Sequence, residues 1–439
     1  MDVLARHAVL GEAWRQALTY LWRAGKMATE QFAEAEAVAC YERALEVFTR
    51  LPPEKQSLEA AIDLRFDMRN ALVPLGRQLR NLEVLREAET LAAKRGDDRR
   101  LAQALSSLAN CYGNIGRSDR ALDAAERSLA LAEKVGETGL LAIGALSAGE
   151  THRTLGNYRE ASEHLSRVVA LIEPGDARRL QGQVGLPAVR ARSHLAWSLA
   201  ELGDFDHART VAEEGLHIAD ASEHAYSISH ACLGLGGTRV RQGEFQAAIS
   251  ILARGLATSE RIPLLRPPIA ADLGLSYARC GNVTEGLSHL HAAIDHAKSM
   301  SRLSRLPLII VKCGEIHLLA GEWSDASRLA EDALALAVEQ NERGNAAYAR
   351  YLLAEIHSAA KDIETTQTER EYVEVLAAAV DLEMKPLVAR CRASLGALYL
   401  RGRRREEAQG HVTAARTMLR GMAMRYWLDK LETEVANAG

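Results

Sequence analysis

The chain predicts an all-α solenoid of about ten helix–turn–helix units closed by a C-terminal capping helix. Three observations predict it. An alanine recurs at Ala121, Ala161, Ala208, Ala248, Ala326 and Ala408, with Gly286 and Thr368 in two intervening slots. The steps from Ala121 are 40, 47, 40, 38, 40, 42 and 40 residues. A glycine usually stands five residues before that slot (Gly116, Gly156, Gly203, Gly243, Gly281, Gly321), and often an aromatic three before it (Tyr158, Phe205, Phe245, Trp323). Such a period marks units that cannot bury their apolar faces alone and must stack. Aromatics make up only 5% of a chain that is 48% hydrophobic, which suits helices packed through Ala and Leu better than a sheet.

The stretch SLANCYGNIGRSDRALDAAERSLALAEKVGE illustrates one unit. Leu108, Tyr112 and Ile115 recur at helical spacing before Gly116 breaks the helix. A second helix begins near Ser118 and presents Ala121, Leu122, Ala125, Leu129 and Ala132 on one face. It ends at Lys134-Val135-Gly136, a cation in the last turn followed by a glycine for a left-handed cap. The recurring alanine belongs where two antiparallel helices cross most closely, because a larger side chain would part them. Two exceptions, Gly286 and Thr368, mark units expected to pack irregularly.

These residues resemble the tetratricopeptide repeat, whose first helix carries Leu-Gly and Tyr and whose turn reads Gly-x-Tyr-x-x-Ala. Leu235-Gly236, Leu273-Gly274 with Tyr277, Leu395-Gly396 with Tyr399, and Gly156-Asn157-Tyr158-Arg159-Glu160-Ala161 carry the likeness. The resemblance implies a right-handed solenoid whose first helices line a concave groove. The first unit centres on Ala37, Tyr41 and Ala44; a second, around Gly76 and Asn81, lacks the alanine. The ninth has a polar turn, Asp362 to Glu369, without glycine, and in the tenth the glycine comes early, at Gly402. The expected organisation is a helical join or N-terminal cap over 1–30, repeats one to four over 31–172, an interrupting loop over 173–188, repeats five to ten over 189–421, and a capping helix and tail over 422–439.

A narrower resemblance covers the chain from end to end. VLARHAVLGEAWRQALTYLWRAGKMA, EAVACYERALEVFTRLP, IDLRFDMRNALVPLG and, later, MKPLVARCRASLGALYLRGRRREEA resemble the C-terminal repeat region of bacterial signalling proteins. In those proteins a class III adenylate/guanylate cyclase domain and an AAA-like ATPase come first. The catalytic parts of that family are absent: no G-x-x-x-x-G-K-[ST] loop occurs, and the Gly25-Lys26 pair lacks the upstream glycine and the following hydroxyl. Met1 at the expected join points either to a separate gene or to a cut at a domain boundary. The resemblance implies a non-enzymatic scaffold, the regulatory and partner-binding part of a cyclase–ATPase signalling system, with the cyclase or ATPase met in cis or in trans. The alternative is a peptide or small-metabolite receptor using the groove, and a third reading is self-assembly through the terminal repeats.

Composition narrows the partners. The formal net charge of −4 offers no global basic field for nucleic acid. No run of about 18 apolar residues predicts a membrane span, and MDVLARHAVLGEAW is charged too early for a signal peptide, so a cytoplasmic protein is expected. The six cysteines lack metal-like spacing and read as reduced, packed thiols. No cofactor and no metal site is expected. His289, His291 and His296, at spacings of two and five, fall on different faces of one helix. The glycine-rich CLGLGGTR (Cys232 to Arg239) follows no strand and reads as packing. Arg401, Arg403, Arg404 and Arg405 read as a solvated turn paired with Glu406 and Glu407, or as a patch for an acidic partner.

The groove therefore holds the candidate residues. The register set by the turn glycines delivers Asn70, Asn110, Asn114, Glu150, Arg153, Arg190, His194, Trp197, Arg241, Asp272, Arg279, Lys312, Glu315, Glu355 and Arg390. Polar side chains at such positions clamp a peptide by hydrogen bonds around an aromatic anchor. Arg153, Arg190 and Arg241 make a basic middle section suited to an acidic segment, and Trp197 is either the anchor or part of the core.

Overall fold

A computed structural model describes residues 2–31, 33–51, 55–172, 184–301, 303–360 and 365–438. Among these residues the chain is all-α, with no strand. Helix α1 (Asp2–Leu10) is followed by ten antiparallel pairs. They are α2 (Trp14–Glu30) with α3 (Glu34–Phe48), α4 (Lys55–Leu72) with α5 (Gln78–Arg95), α6 (Asp98–Asn114) with α7 (Ser118–Val135), α8 (Thr138–Leu155) with α9 (Tyr158–Leu171), and α10 (Pro187–Glu201) with α11 (Phe205–Ser222). The second half continues with α12 (Ala225–Gln242) and α13 (Phe245–Thr258), α14 (Arg266–Arg279) and α15 (Val283–Ser299), α16 (Leu306–Ala320) and α17 (Trp323–Glu339), α18 (Arg343–Ala359) and α19 (Thr365–Asp381), α20 (Lys385–Arg401) and α21 (Arg405–Gly421). Helix α22 (Arg425–Ala438) closes the stack against α20 and α21. Trp14–Glu30, within the segment expected as a join, packs on α3 as the first helix of a pair.

Within each pair the recurring small residue is buried where the helices cross. Ala121, Ala161, Ala208, Ala248, Ala326 and Ala408 are at most 1% exposed. At Gly286, in one of the units expected to pack irregularly, the two helices approach closely. A Cβ on Gly286 would meet the Gly274 carbonyl oxygen at 2.6 Å, and one on Gly274 would meet the Gly286 carbonyl oxygen at 2.7 Å, so α14 and α15 touch backbone to backbone. Thr368 is likewise buried, on α19, which begins at Thr365; the expected polar turn of Asp362 to Glu369 is thus helical from Thr365 on, and 361–364 lie outside the described residues. Of the expected loop of 173–188, residues 173–183 also lie outside them, and α10 starts at Pro187.

First and second helices differ in what they bury. Helix α7 hides a single stripe of Ser118, Ala121, Ala124, Ala125, Ser128 and Ala132. Helices α10 and α12 are buried almost all round. A helix buried on every side needs a neighbour on every side, and the extra neighbour is the solenoid itself. The turns of repeats two to six rest on the chain between the end of repeat seven and α22. Gly76 faces Met300, Gly116 faces Gln340, Gly156 faces Gly344, Gly203 faces Lys385 and Met422, and Gly243 faces Tyr426 and Trp427. Hydrogen bonds tie the same seam: the Leu303 and Ser304 amides donate to the Asn114 carbonyl at 2.9 and 3.1 Å, Arg343 donates to the Leu155 carbonyl, and Gln242 donates to the Met422 carbonyl. The coil thus closes on itself, and its inner face becomes an interior. Among the described residues no helix is long and apolar enough to cross a membrane.

Candidate ligand-binding site

Most of the residues expected along the groove do point inward from first helices, but into this closed interior rather than into an open channel. Burial changes what they can do. Glu150, Arg190, Asp272 and Lys312 are all under 9% exposed, and a buried charge must be paired. Arg190 donates to both oxygens of Glu150 at 2.7 and 2.8 Å, Arg241 donates to Glu201 at 2.6 Å, and Lys312 donates to Asp272. Each pair links one first helix to the next. Of the expected basic middle section, Arg190 and Arg241 are therefore matched by carboxylates of the preceding repeat, while Arg153 bonds to His194 and Thr154.

The middle of the interior is crowded. Asn114 donates to Asn110, and Asn110 to Glu150. Arg153 donates its Nε–H to His194 Nδ1 at 3.0 Å, leaving His194 Nε2 to face Glu150 at 3.3 Å. Burial, then the nearby Arg153, holds the His194 imidazole well below its ordinary pKa, so it stays neutral. Trp197 is 1% exposed, edge-on to His194 and overlaid by the Arg305 and Arg153 guanidiniums at 4.3 and 5.5 Å. It belongs to the core and presents no face to a peptide. The cavity beside these groups holds about 70 Å³. Asn70, on α4, accepts from Arg69 and does not line it.

Toward the C-terminal end the interior opens. Arg279 (α14), Glu315 (α16), Glu355 (α18), Arg390 (α20) and Lys430 (α22) converge on a cavity of about 360 Å³, walled by Tyr351, Tyr372 and Trp427. Arg279 donates to Glu315 at 2.6 Å, with Arg390 at 3.5 Å from the same carboxylate. Glu355 accepts from the Tyr372 and Ser394 hydroxyls at 2.6 Å each and lies 3.4 Å from the Lys430 ammonium. Burial works against ionising Glu355, but Lys430, the two hydroxyls and Arg390 outweigh it and bring its pKa down to about 2. The Arg390 guanidinium lies over the Trp427 ring at 4.0 Å and over the Tyr351 ring at 4.6 Å.

The charge in this cavity does not balance. Arg279, Arg390, Arg401 and Lys430 face Glu315, Glu355 and Glu434, and burial raises the pKa of Glu434. Two buried N–H donors of the cavity's arginines have no protein acceptor, Nε of Arg279 and Nε of Arg390, while the Trp427 Nε1–H lies against Gly243. A concave site with surplus positive charge, spare donors and aromatic walls is suited to an anionic group carried on a small organic body. Sequence reasoning found Arg279, Glu315, Glu355 and Arg390 from their repeat register. It missed Tyr351, Tyr372, Ser394 and Lys430 as site residues, and it read Trp427 only as part of a cap.

The other motifs resolve as packing. Gly236 abuts Leu252, and Gly237 abuts Trp197. Arg404 pairs with Glu369 and Glu407 and lies over Tyr399, so this member of the arginine turn is locally satisfied.

Residues 100–173, from α6 to α9, match the tetratricopeptide repeat family model. Their tetratricopeptide character agrees with the period read along the rest of the solenoid. No curated protein matches the chain significantly. Two solved structures share the fold: the Rap conjugation gene regulator of plasmid pLS20 in complex with the Phr* peptide (TM-score 0.54, 16% identity, 67% of this chain and 78% of that one), and the apo form of RapI (TM-score 0.50, 15% identity, 64% and 98%). A signal-transduction ATPase with a tetratricopeptide repeat sensor from Pyrococcus horikoshii aligns at TM-score 0.45 and 14% identity over 85% of this chain, which spans 54% of that protein's length. At these identities the likeness concerns the fold; function rests on the site.

Proposed function

We propose that this tetratricopeptide-type solenoid is a non-enzymatic sensing scaffold whose C-terminal cavity binds a small carboxylate-bearing ligand, such as the C-terminal end of a short peptide. The observation that carries the reading is the cavity's surplus of cations together with the unpartnered Nε donors of Arg279 and Arg390. A carboxylate supplies the acceptors those groups lack, and a bidentate guanidinium contact gives it orientation. The volume sits at the small end of the roughly 300–1,000 Å³ common for small-ligand sites, which favours a peptide end over a long helical segment. That a Rap protein of similar fold was solved with a peptide supports this choice over a metabolite. The likeness to cyclase–ATPase signalling proteins supplies the setting: occupancy of the cavity is read by an effector domain in cis or in trans.

The test compares free-acid and C-terminally amidated forms of one set of di- to tetrapeptides by calorimetry and thermal denaturation. Free-acid peptides are expected to bind saturably and raise the melting temperature by mass action, amidated ones are not, and Lys430→Glu is expected to weaken binding. Equal binding of both forms, or no binding by any member, rejects the reading. Adenylate cyclase or ATPase turnover by the purified chain, abolished by one substitution, rejects its non-enzymatic part.

A further inference from the structure

Between repeats seven and eight, α15 and α16 bring together His291, Cys313 and His317. One ring nitrogen of each histidine and the Cys313 sulfur all lie within 4.8 Å of one another. Cys313 and His317 stand four residues apart on α16, one helical turn, so both project from one face; His291 comes from α15, with its ring centroid 5.7 Å from that of His317. The spacing of histidines within α15 alone gave no such cluster, because the partners come from the next repeat.

We propose that His291, Cys313 and His317 form a metal-binding site, of the thiolate–imidazole kind that takes a zinc ion. Thiolate plus two imidazoles is the donor set of a borderline-soft tetrahedral ion. Zinc bonds of about 2.0–2.3 Å require donors closer together than the observed limit, and side-chain rotation supplies the difference. A second feature is independent of the ligand distances. His317 donates its Nδ1–H to the Glu322 carboxylate at 2.5 Å. A carboxylate on one imidazole nitrogen fixes the tautomer and turns the other nitrogen, Nε2, into the ligand. Burial suits the roles as well: Cys313 is fully covered and His317 8% exposed, while His291 is exposed and leaves a way in for the ion. The fourth position falls to water or to a ligand from solvent. The ion would clip the second helix of repeat seven to the first helix of repeat eight, the helix that also carries Glu315.

The experiment titrates the purified full chain, stripped with chelator, with cobalt(II) and then zinc. Expected are one equivalent of cobalt with a thiolate-to-metal charge-transfer band, its displacement by zinc, and a rise in melting temperature on metal addition. Cys313→Ser is expected to abolish the band, His291→Gln to lose tight binding, and Glu322→Gln to weaken it roughly 10- to 100-fold. Should Cys313→Ser not fold, His291→Gln and Glu322→Gln decide, since both side chains are accessible and neither belongs to the core. No charge-transfer band in the wild-type chain, a band that survives Cys313→Ser, or an affinity unchanged in both His291→Gln and Glu322→Gln overturns the proposal. Peptide binding and metal binding are measured separately, so either can fail alone.

Discussion

Gly156, in the turn of repeat four, lies directly against Gly344, at the start of the first helix of repeat nine: a Cβ built on Gly156 would come within 3.1 Å of the Gly344 amide nitrogen. The contact is backbone on backbone, so no side chain can swing aside to relieve a larger residue. Gly156 also has φ of +90°, a conformation that L-residues avoid. Gly96, φ +70°, ends α5 with nothing within 4 Å of the same added atom. Gly96→Ala is therefore expected to cost about 1–2 kcal/mol from the left-handed conformation alone. Gly156→Ala should lose a further 1–3 kcal/mol, roughly the range for overpacking. Chemical denaturation of both variants measures the difference, and equal losses would mean that the turns of the coil do not press on each other.

Glu150 and Arg190 form a pair sealed from solvent, whereas Glu133 and Arg167 form one on the surface, 51% and 42% exposed. Removing one partner of a buried pair strands a charge, at roughly 3–5 kcal/mol. Removing one partner of an exposed pair costs about 1 kcal/mol or less. Glu150→Ala should thus unfold at markedly lower denaturant than Glu133→Ala, with the double variant Glu150→Ala/Arg190→Ala recovering part of the loss.

Glu355 predicts an acid limit. Its folded-state pKa of about 2 lies below the ordinary carboxylate value near 4.3. The unfolded chain therefore takes up its proton first as the pH falls. The stabilisation from this group is complete above about pH 4.3 and is lost progressively toward pH 2, at up to about 1.4 kcal/mol per pH unit. Stability measured against pH should fall less steeply over that window in Glu355→Gln than in the wild-type chain; identical slopes would show that Glu355 is not held ionised.

Trp427 joins the last helix to the sixth repeat. Its indole packs against Gly243, with Arg390 and Arg279 stacked on its face, and it is 7% exposed. Trp427→Ala should cost roughly 3–5 kcal/mol, as for other buried aromatics. It should also speed proteolysis within α22 more than proteolysis in the first repeats. Uniform acceleration along the chain would argue against a local closure at this end.

Repeat architecture was legible because its causes are local. Small residues where helices cross, left-handed glycines at turns and a helical period within each segment act over a few residues and recur, so Ala121 or Gly156 announces its role without any partner in view. The register placed Arg279, Glu315, Glu355 and Arg390 on first helices, and all four line the C-terminal cavity. What it could not supply was the far side. Arg190 and Arg241 read as free basic groups because Glu150 and Glu201 lie a whole repeat away in sequence, and Trp197 read as a possible anchor because nothing nearby showed Arg305 lying over it. His291 stayed apart from Cys313 and His317 for the same reason.

The sequence by itself determined an all-α stack of helical pairs, and its resemblance to the tetratricopeptide repeat implied that the first helices face inward. Only the tertiary structure decided that the stack coils tightly enough to seal its own groove, leaving a small charged cavity near α22 instead of an open channel. The physical reason is that curvature accumulates from slight rotations at every helix–helix interface. No single residue encodes that sum, and it becomes visible where distant turns meet, as at Gly156 and Gly344.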